Sequence, residues 1–372
     1  MKKQTANQIL ISNTQSDADI HHLCGVAPPE AALFIRTGAA AGTLIVSEME
    51  YNRFRRTVKN GIHVVHPELI GSTWKAGAVD WIAKLAAGKS LILPYHFPAG
   101  VTKKLCAGGW NFTVADPGSL CPQREIKTAG EIRAIQKSQR AAVAAMNAAV
   151  KQIAAASIDK TGKIIWNKKP LTSEIVRRTI TKTLLDHDCI AHETIVAGGK
   201  QSADPHERGH GPLRAGEPIV IDIFPRSAET GYWGDITRTV CRGAAPAALK
   251  KMYAAVKAAQ TAALAGVRAG AWTDKLHNAA AGEMLRRGFR TGTENGTPQG
   301  FIHGLGHGVG LEIHEAPRVS SAVHQKLRAG QIITIEPGLY YPALGGIRIE
   351  DTVAVTKDGY QMLAACSKKF EI

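Results

Sequence analysis

An ionised carboxylate inside an apolar strand must be paired or bound to a cation, because moving a lone charge out of water is costly. Residues 218–224, Pro-Ile-Val-Ile-Asp-Ile-Phe, put Asp222 in such a run. Three more carboxylates follow in strand-like text: Asp235 opening Asp-Ile-Thr-Arg-Thr, Glu336 ending Gln-Ile-Ile-Thr-Ile-Glu, and Glu350 in Gly-Ile-Arg-Ile-Glu-Asp. Period-2 alternation puts Asp235, Thr237 and Thr239 on one strand face and Arg238 on the other. Two aspartates on adjacent strands of one hairpin can converge on a shared ion, with Thr237 orienting Asp235. With His307 the set is four carboxylates and one imidazole. A single catalytic zinc usually takes three protein ligands and a water. The larger set suits two divalent ions roughly 3.5–4 Å apart that share bridging carboxylates. It points to a dinuclear metallohydrolase.

His303, His307 and His314 fall within twelve positions of a segment that also holds Gly300, Gly304, Gly306, Gly308 and Gly310. Glycine at that density weakens a helix and lets backbone approach a site closely. The glycines are not spaced as Gly-x-Gly-x-x-Gly, so a nucleotide-binding loop is not expected. His206-Glu-Arg-Gly-His210 matches the zinc-binding pattern His-Glu-x-x-His, which works only where a helix puts both histidines on one face. Pro205, Gly209, Gly211 and Pro212 crowd it, so the segment reads as a loop and His206 as an active-site loop residue.

Residues 1–123 alternate short apolar runs (33–36, 44–47, 62–66, 91–94) with helical stretches, among them 47–59 behind a Ser47/Glu50 capping box and 77–87. They read as an α/β domain. Turn formers at 117–126 mark a boundary, followed by a Thr128/Glu131 capping box and an alanine-rich helix to about 155. Further helices are expected near 172–186, 247–268 and 273–288, with Pro246 in a first turn. Strands are expected at 218–224 and 232–241 as a hairpin, and at 331–336 and 347–355. Residues 124–372 therefore read as an α+β catalytic domain.

The chain has 46 Lys and Arg against 31 Asp and Glu, a net +15. Residues 1–123 hold 12 basic and 8 acidic residues, so the charge is spread rather than massed. The densest basic stretch, Arg53 to Lys59, reads as a solvated helix face, and a nucleic-acid partner is not expected. No apolar run reaches the roughly 18 residues of a membrane span. The opening Met-Lys-Lys-Gln-Thr-Ala-Asn lacks the apolar core of a signal peptide. Six scattered cysteines without a Cys-x-x-Cys pair favour reduced thiols and a cytoplasmic location.

At these motifs the chain resembles the pita-bread metallopeptidases: Xaa-Pro aminopeptidases, Xaa-Pro dipeptidases (prolidases) and methionine aminopeptidases. The resemblance covers most of the chain. Residues 124–372 resemble the pita-bread (creatinase/aminopeptidase-like) catalytic domain. Residues 1–123 resemble the creatinase/prolidase-type N-terminal domain, which methionine aminopeptidases lack. It implies a metal-dependent exopeptidase that hydrolyses N-terminal Xaa-Pro or related peptide bonds through a metal-bridging hydroxide. Two divalent ions per subunit, Mn²⁺, Co²⁺ or Zn²⁺, would be held by Asp222, Asp235, His307, Glu336 and Glu350, with Asp235 and Glu350 bridging. Glu336 would also act as general base and then acid. His206 and His314 would be the catalytic histidines. His303 would face the substrate, and Arg348 would stand beside it and support the bridging carboxylates. The expected partners are a peptide substrate and a second copy in a homodimer, with no membrane. Two departures from the family pattern stand out: Phe224 where Asp-x-Gly is usual, and an Asp222–Asp235 spacing of 13 residues. A metal-free creatinase-like amidinohydrolase and a non-catalytic binding module are the alternatives. Such relatives lose members of the ligand set, and here all five positions are filled.

Overall fold

The computed structural model describes residues 7–12, 17–37, 42–115 and 120–372. The chain divides into two compact units, Met1–Arg124 and Glu125–Ile372.

The first unit is built on a six-stranded sheet in the order His63–Val65, Thr43–Ile45, Ala32–Thr37, Asn7–Ser12, Ser90–Leu93, Asn111–Val114. Neighbouring residues of its strands point to opposite faces. Ile9, Leu33, Ile35, Ile45 and Val65 pack with Trp81, Ile82 and Leu105 on one side. Leu10, Phe34, Leu44 and Val64 pack with Ile20, Cys24 and Phe54 on the other. Runs apolar at every position, as 32–35 is, suit a sheet covered on both faces. The capping box expected at Ser47 does not form. Ser47 is the N-cap of the helix Glu48–Thr57 without a side-chain hydrogen bond: the Glu50 N–H donates to the Ser47 carbonyl at 3.1 Å, and the Glu50 carboxylate is taken by Arg53. The strands Asn7–Ser12 and Asn111–Val114 are additions to the sequence reading.

In the second unit the expected Thr128/Glu131 capping box is complete and opens a helix, Ala129–Ala155. That helix and Ser173–Leu185 cover an antiparallel sheet of Ile195–Gly198, Ile219–Ile223 and Ile236–Val240. A second helix pair, Ala247–Ala265 and Thr273–Arg286, packs on residues of Ile332–Ile335, Gly338–Tyr341, Gly345–Arg348 and Asp351–Val355. Pro246 is the N-cap rather than a first-turn residue. The stretch read as one strand over 347–355 is two. Gly345–Arg348 pairs with Gly338–Tyr341, and Asp351–Val355 pairs with Ile332–Ile335. Ile349 and Glu350 sit at the break, where the Glu350 N–H donates to the Thr237 carbonyl at 3.0 Å. The break therefore brings the two halves of the unit together at a carboxylate. Among the described residues no helix is long and apolar enough to cross a membrane. All six cysteines are free thiols.

Candidate metal centre

Asp222 lies in the strand Ile219–Ile223, opposite Thr237 in the antiparallel register. Asp235 comes one residue before the partner strand begins. Its peptide is held on both sides by one side chain. Its N–H donates to Gln139 Oε1 at 2.7 Å, and Gln139 Nε2 donates to its carbonyl at 2.8 Å. The helix carrying Gln139 comes this close because residue 234 is glycine. A Cβ there would stand 2.6 Å from the Gln139 nitrogen. His307 occupies a three-residue strand, Gly306–Gly308, and its N–H donates to Thr334 Oγ1 at 3.0 Å. The Thr334 hydroxyl reaches Glu336 Oε1 at 3.1 Å, so one threonine positions both residues. Gln139 and Thr334 were not picked out from the sequence. Thr334 carried a signal, being two residues before Glu336 and so on its face of the strand. Gln139, in an alanine-rich helix, carried none.

Asp235, His307 and Glu350 are buried, and each has a ligand atom within 4.8 Å of the others. His307 Nε2 stands 3.2 Å from Glu336 Oε1 and 3.7 Å from Asp235 Oδ2. Thr237 does not act on Asp235 as its strand face suggested. Its hydroxyl donates to Glu350 Oε2 at 2.7 Å and accepts from Arg348 Nε at 3.1 Å. Arg348 Nη2 binds Asp222 Oδ2 directly at 2.8 Å, and the side chain reaches Glu350 only through Thr237. Its Nη1 donates to the Tyr340 hydroxyl at 2.8 Å, which lies 3.0 Å from His303 Nε2. The His314 ring stands edge-on to His307, centroids 4.3 Å apart. His206 is exposed in a loop, as its prolines and glycines suggest, and its charge opposes protonation of His303 and His314. Phe224 follows Asp222 by two residues, on the same side of the chain, and is half-buried.

Burial pushes the Asp235 carboxyl well above its ordinary range, and the charges of Glu350, Asp222 and Glu336 push it further. Burial does the same to Glu350, reinforced by Glu336 and Asp222. Asp222 is also raised by burial, which its Arg348 partner only partly offsets. Glu336 differs. Burial works against its charge too, but the His307 hydrogen bond, with the charges of His307, His303 and Arg348, holds it down at about 2. Burial pushes His303 down, and burial together with His307 pushes His314 down to about 4. The cluster thus crowds four carboxyls beside one arginine, which favours bound protons or cations over bare charge, and the buried Asp222 Oδ1 has no hydrogen-bond partner. A donor set of carboxylate oxygens and one imidazole nitrogen fits divalent first-row cations.

The chain matches the model of metallopeptidase family M24 over residues 133–357. It is 31% identical to a Xaa-Pro dipeptidase of Pyrococcus horikoshii, covering 99% of this chain and 95% of that protein. The structure of the prolidase from Pyrococcus horikoshii OT3 superposes with a TM-score of 0.82 at 27% identity, over 99% of this chain and 96% of that one. The prolidase of Pyrococcus furiosus gives 0.79 at 26%, over 98% and 97%. With the fold shared over nearly the full length and carboxylates and imidazole gathered at one buried point, the chain belongs to metallopeptidase family M24 and has its pita-bread fold.

Proposed function

We propose that this enzyme is a dinuclear exopeptidase cleaving the bond between an N-terminal residue and proline. The observation that carries the proposal is the convergence of Asp235, His307 and Glu350 within 4.8 Å, with Glu336 3.2 Å from the imidazole. A relative named Xaa-Pro dipeptidase, similar over 99% of this chain, supports the substrate class. Residues 1–123 fit the N-terminal domain of the prolidase branch. Asp222, Asp235, His307, Glu336 and Glu350 would hold two ions, Mn²⁺, Co²⁺ or Zn²⁺, with Asp235 and Glu350 shared. Bound there, the ions would supply Lewis acidity that makes water a nucleophile near neutral pH. Glu336, ionised and 3.2 Å from His307 Nε2, would take the proton of the attacking water and return it to the leaving amine. His303 and His314 are neutral at pH 7, because burial disfavours their charged forms. His314 would offer an N–H donor to the developing oxyanion, with His206 in its loop. Neutral His303 spends its Nδ1–H on the Gly304 carbonyl and its Nε2 on the Tyr340 hydroxyl, so it would line the substrate side without donating. Arg348 is committed to Asp222, Thr237 and Tyr340, so it orders the substrate side of the site through those partners.

The test is hydrolysis of Ala-Pro and Ala-Pro-Ala by metal-stripped protein with Mn²⁺, Co²⁺ or Zn²⁺ restored. An Asp235→Ala/Glu350→Ala variant is the control. Metal-restored cleavage that the variant lacks supports the reading, and the two substrates separate dipeptidase from aminopeptidase. If two ions bind and neither peptide is cut, the substrate class is wrong, and Phe224 is the first residue to examine. If no ion binds, the dinuclear reading fails.

A further inference from the structure

A second group of metal-binding side chains lies in the first unit, at the edge of its sheet. Thr43–Ile45 and His63–Val65 are adjacent parallel strands, so their C-terminal ends lie side by side. The chain leaves one strand through Ser47 into the helix Glu48–Thr57, and the other through His66 into the 3₁₀ turn Pro67–Ile70. Open α/β sheets collect ligands at the carboxyl ends of their strands. Here that placement brings together Glu48, His66 and Glu68, each with a ligand atom within 4.8 Å of the other two.

Two further observations set this group apart from an ordinary acidic surface. His66 Nδ1 and the neighbouring Ser47 Oγ are buried and have no hydrogen-bond partner, although the edge of the Tyr51 ring, 5.0 Å away, fixes the imidazole. Buried polar atoms are nearly always satisfied, so an orphan asks for a partner. Among the described residues, moreover, neither the Glu48 nor the Glu68 side chain pairs with a lysine or arginine, in a chain of net charge +15. Glu50, two residues from Glu48, does have such a partner in Arg53.

We propose that Glu48, His66 and Glu68 bind one divalent first-row cation, separate from the carboxylate-rich centre of the second unit. Two carboxylates and one imidazole are donors that Zn²⁺, Co²⁺ and Mn²⁺ accept. Exposure of both glutamates leaves the remaining positions to water. The ion clamps the first turn of the helix Glu48–Thr57 to the 3₁₀ turn, a structural rather than a catalytic role. It does not depend on the peptidase reading.

The experiment is calorimetric titration of metal-stripped full-length protein with Co²⁺, read together with the Co²⁺ absorption spectrum. Wild type is compared with Glu48→Gln/Glu68→Gln. Both substituted residues are exposed, so the variant folds, and circular dichroism checks this. The expected result is the loss of one bound ion per chain and of its share of the Co²⁺ bands, with metal-restored peptide cleavage unchanged. His66→Gln provides a second variant with the same expected loss. Equal stoichiometry and identical spectra in wild type and both variants would overturn the proposal. Loss of cleavage with stoichiometry unchanged would also count against it, because it would tie these residues to the reaction and not to an ion.

Discussion

Gln139 is a single side chain from a helix that closes both hydrogen bonds of the Asp235 peptide. Gln139→Leu keeps the volume and removes both bonds. The Asp235 carbonyl keeps the Thr352 hydroxyl at 2.7 Å, so the Asp235 N–H is left unsatisfied, which costs about 1–3 kcal/mol of stability. Groups that orient a ligand typically change metal affinity by roughly 10–100-fold, and we expect a loss of that size in a metal titration. A variant that binds metal like wild type while losing stability would show Gln139 to be structural only. The carboxyls make a second prediction. Asp235 and Glu350 are held well above the ordinary range, so in the ion-free site they keep protons at a pH where free carboxyls have lost them. A raised folded-state pKa means that these two groups favour the folded ion-free protein fully only below the ordinary carboxyl pKa, and progressively less between it and the raised value. The contribution is lost as the pH rises through the raised value. A cation must displace those protons, so affinity falls as the pH falls, by up to about 100-fold per unit where two protons leave. Titration in buffers of different ionisation enthalpy counts the protons released, and a count of zero would contradict the shifts.

At the scale of the element, glycines decide how closely strands and helices approach. A Cβ on Gly306 would stand 2.0 Å from the Thr334 carbonyl oxygen, on the strand that aligns His307 and Glu336. Gly306→Ala should cost about 1–3 kcal/mol, the range for overpacking a core, and should weaken metal binding by displacing His307. Gly282 makes the opposite case. It lies within the helix Thr273–Arg286, where an added Cβ meets only the mobile end of Arg286 at 3.6 Å. Gly282→Ala should stabilise by roughly 0.5–1 kcal/mol through helix propensity. Denaturant unfolding of both variants checks the two signs. The same physics explains which elements the sequence revealed. The long helix Ala129–Ala155 has 3.6-residue periodicity and a complete capping box, and both are local signals. The strand Asn7–Ser12 has only a short apolar core, and its identity comes from partners 20–30 residues away and beyond. The break at Ile349–Glu350 interrupts an apolar run that has no glycine or proline at that point. It exists because two different sheets claim its two ends.

At the scale of the molecule, each unit has its own apolar cores. Those of the first are drawn from residues 9–120, those of the second from residues 132–372. Asp222, Asp235, Glu336 and Glu350 resist sharing one buried point as bare charges, so ions bound there would also stabilise the fold. At a hundredfold excess over its Kd, one site-bound ion contributes about 2.7 kcal/mol. For a unit of this size that corresponds to roughly 5–10 °C in Tm. Chelation should therefore lower the melting temperature, and restored Mn²⁺ should recover it. A melting curve indifferent to chelator would mean that the carboxylates are neutralised by protons alone.

The amino-acid order alone determined the boundary region between the units, the helices with strong periodicity and the kinds of residue at the site. These are legible because a charge in an apolar strand or a glycine run between histidines is conspicuous in one dimension. Only the tertiary structure decided which atoms meet. Thr237 serves Glu350 and not Asp235, Arg348 is bound to Asp222, and Gln139 and Thr334 hold the residues expected to bind metal. A hydrogen bond is fixed to within a few tenths of an ångström and by direction. Strand alternation says only which side a residue faces. The rest depends on how two sheets and a helix settle against one another.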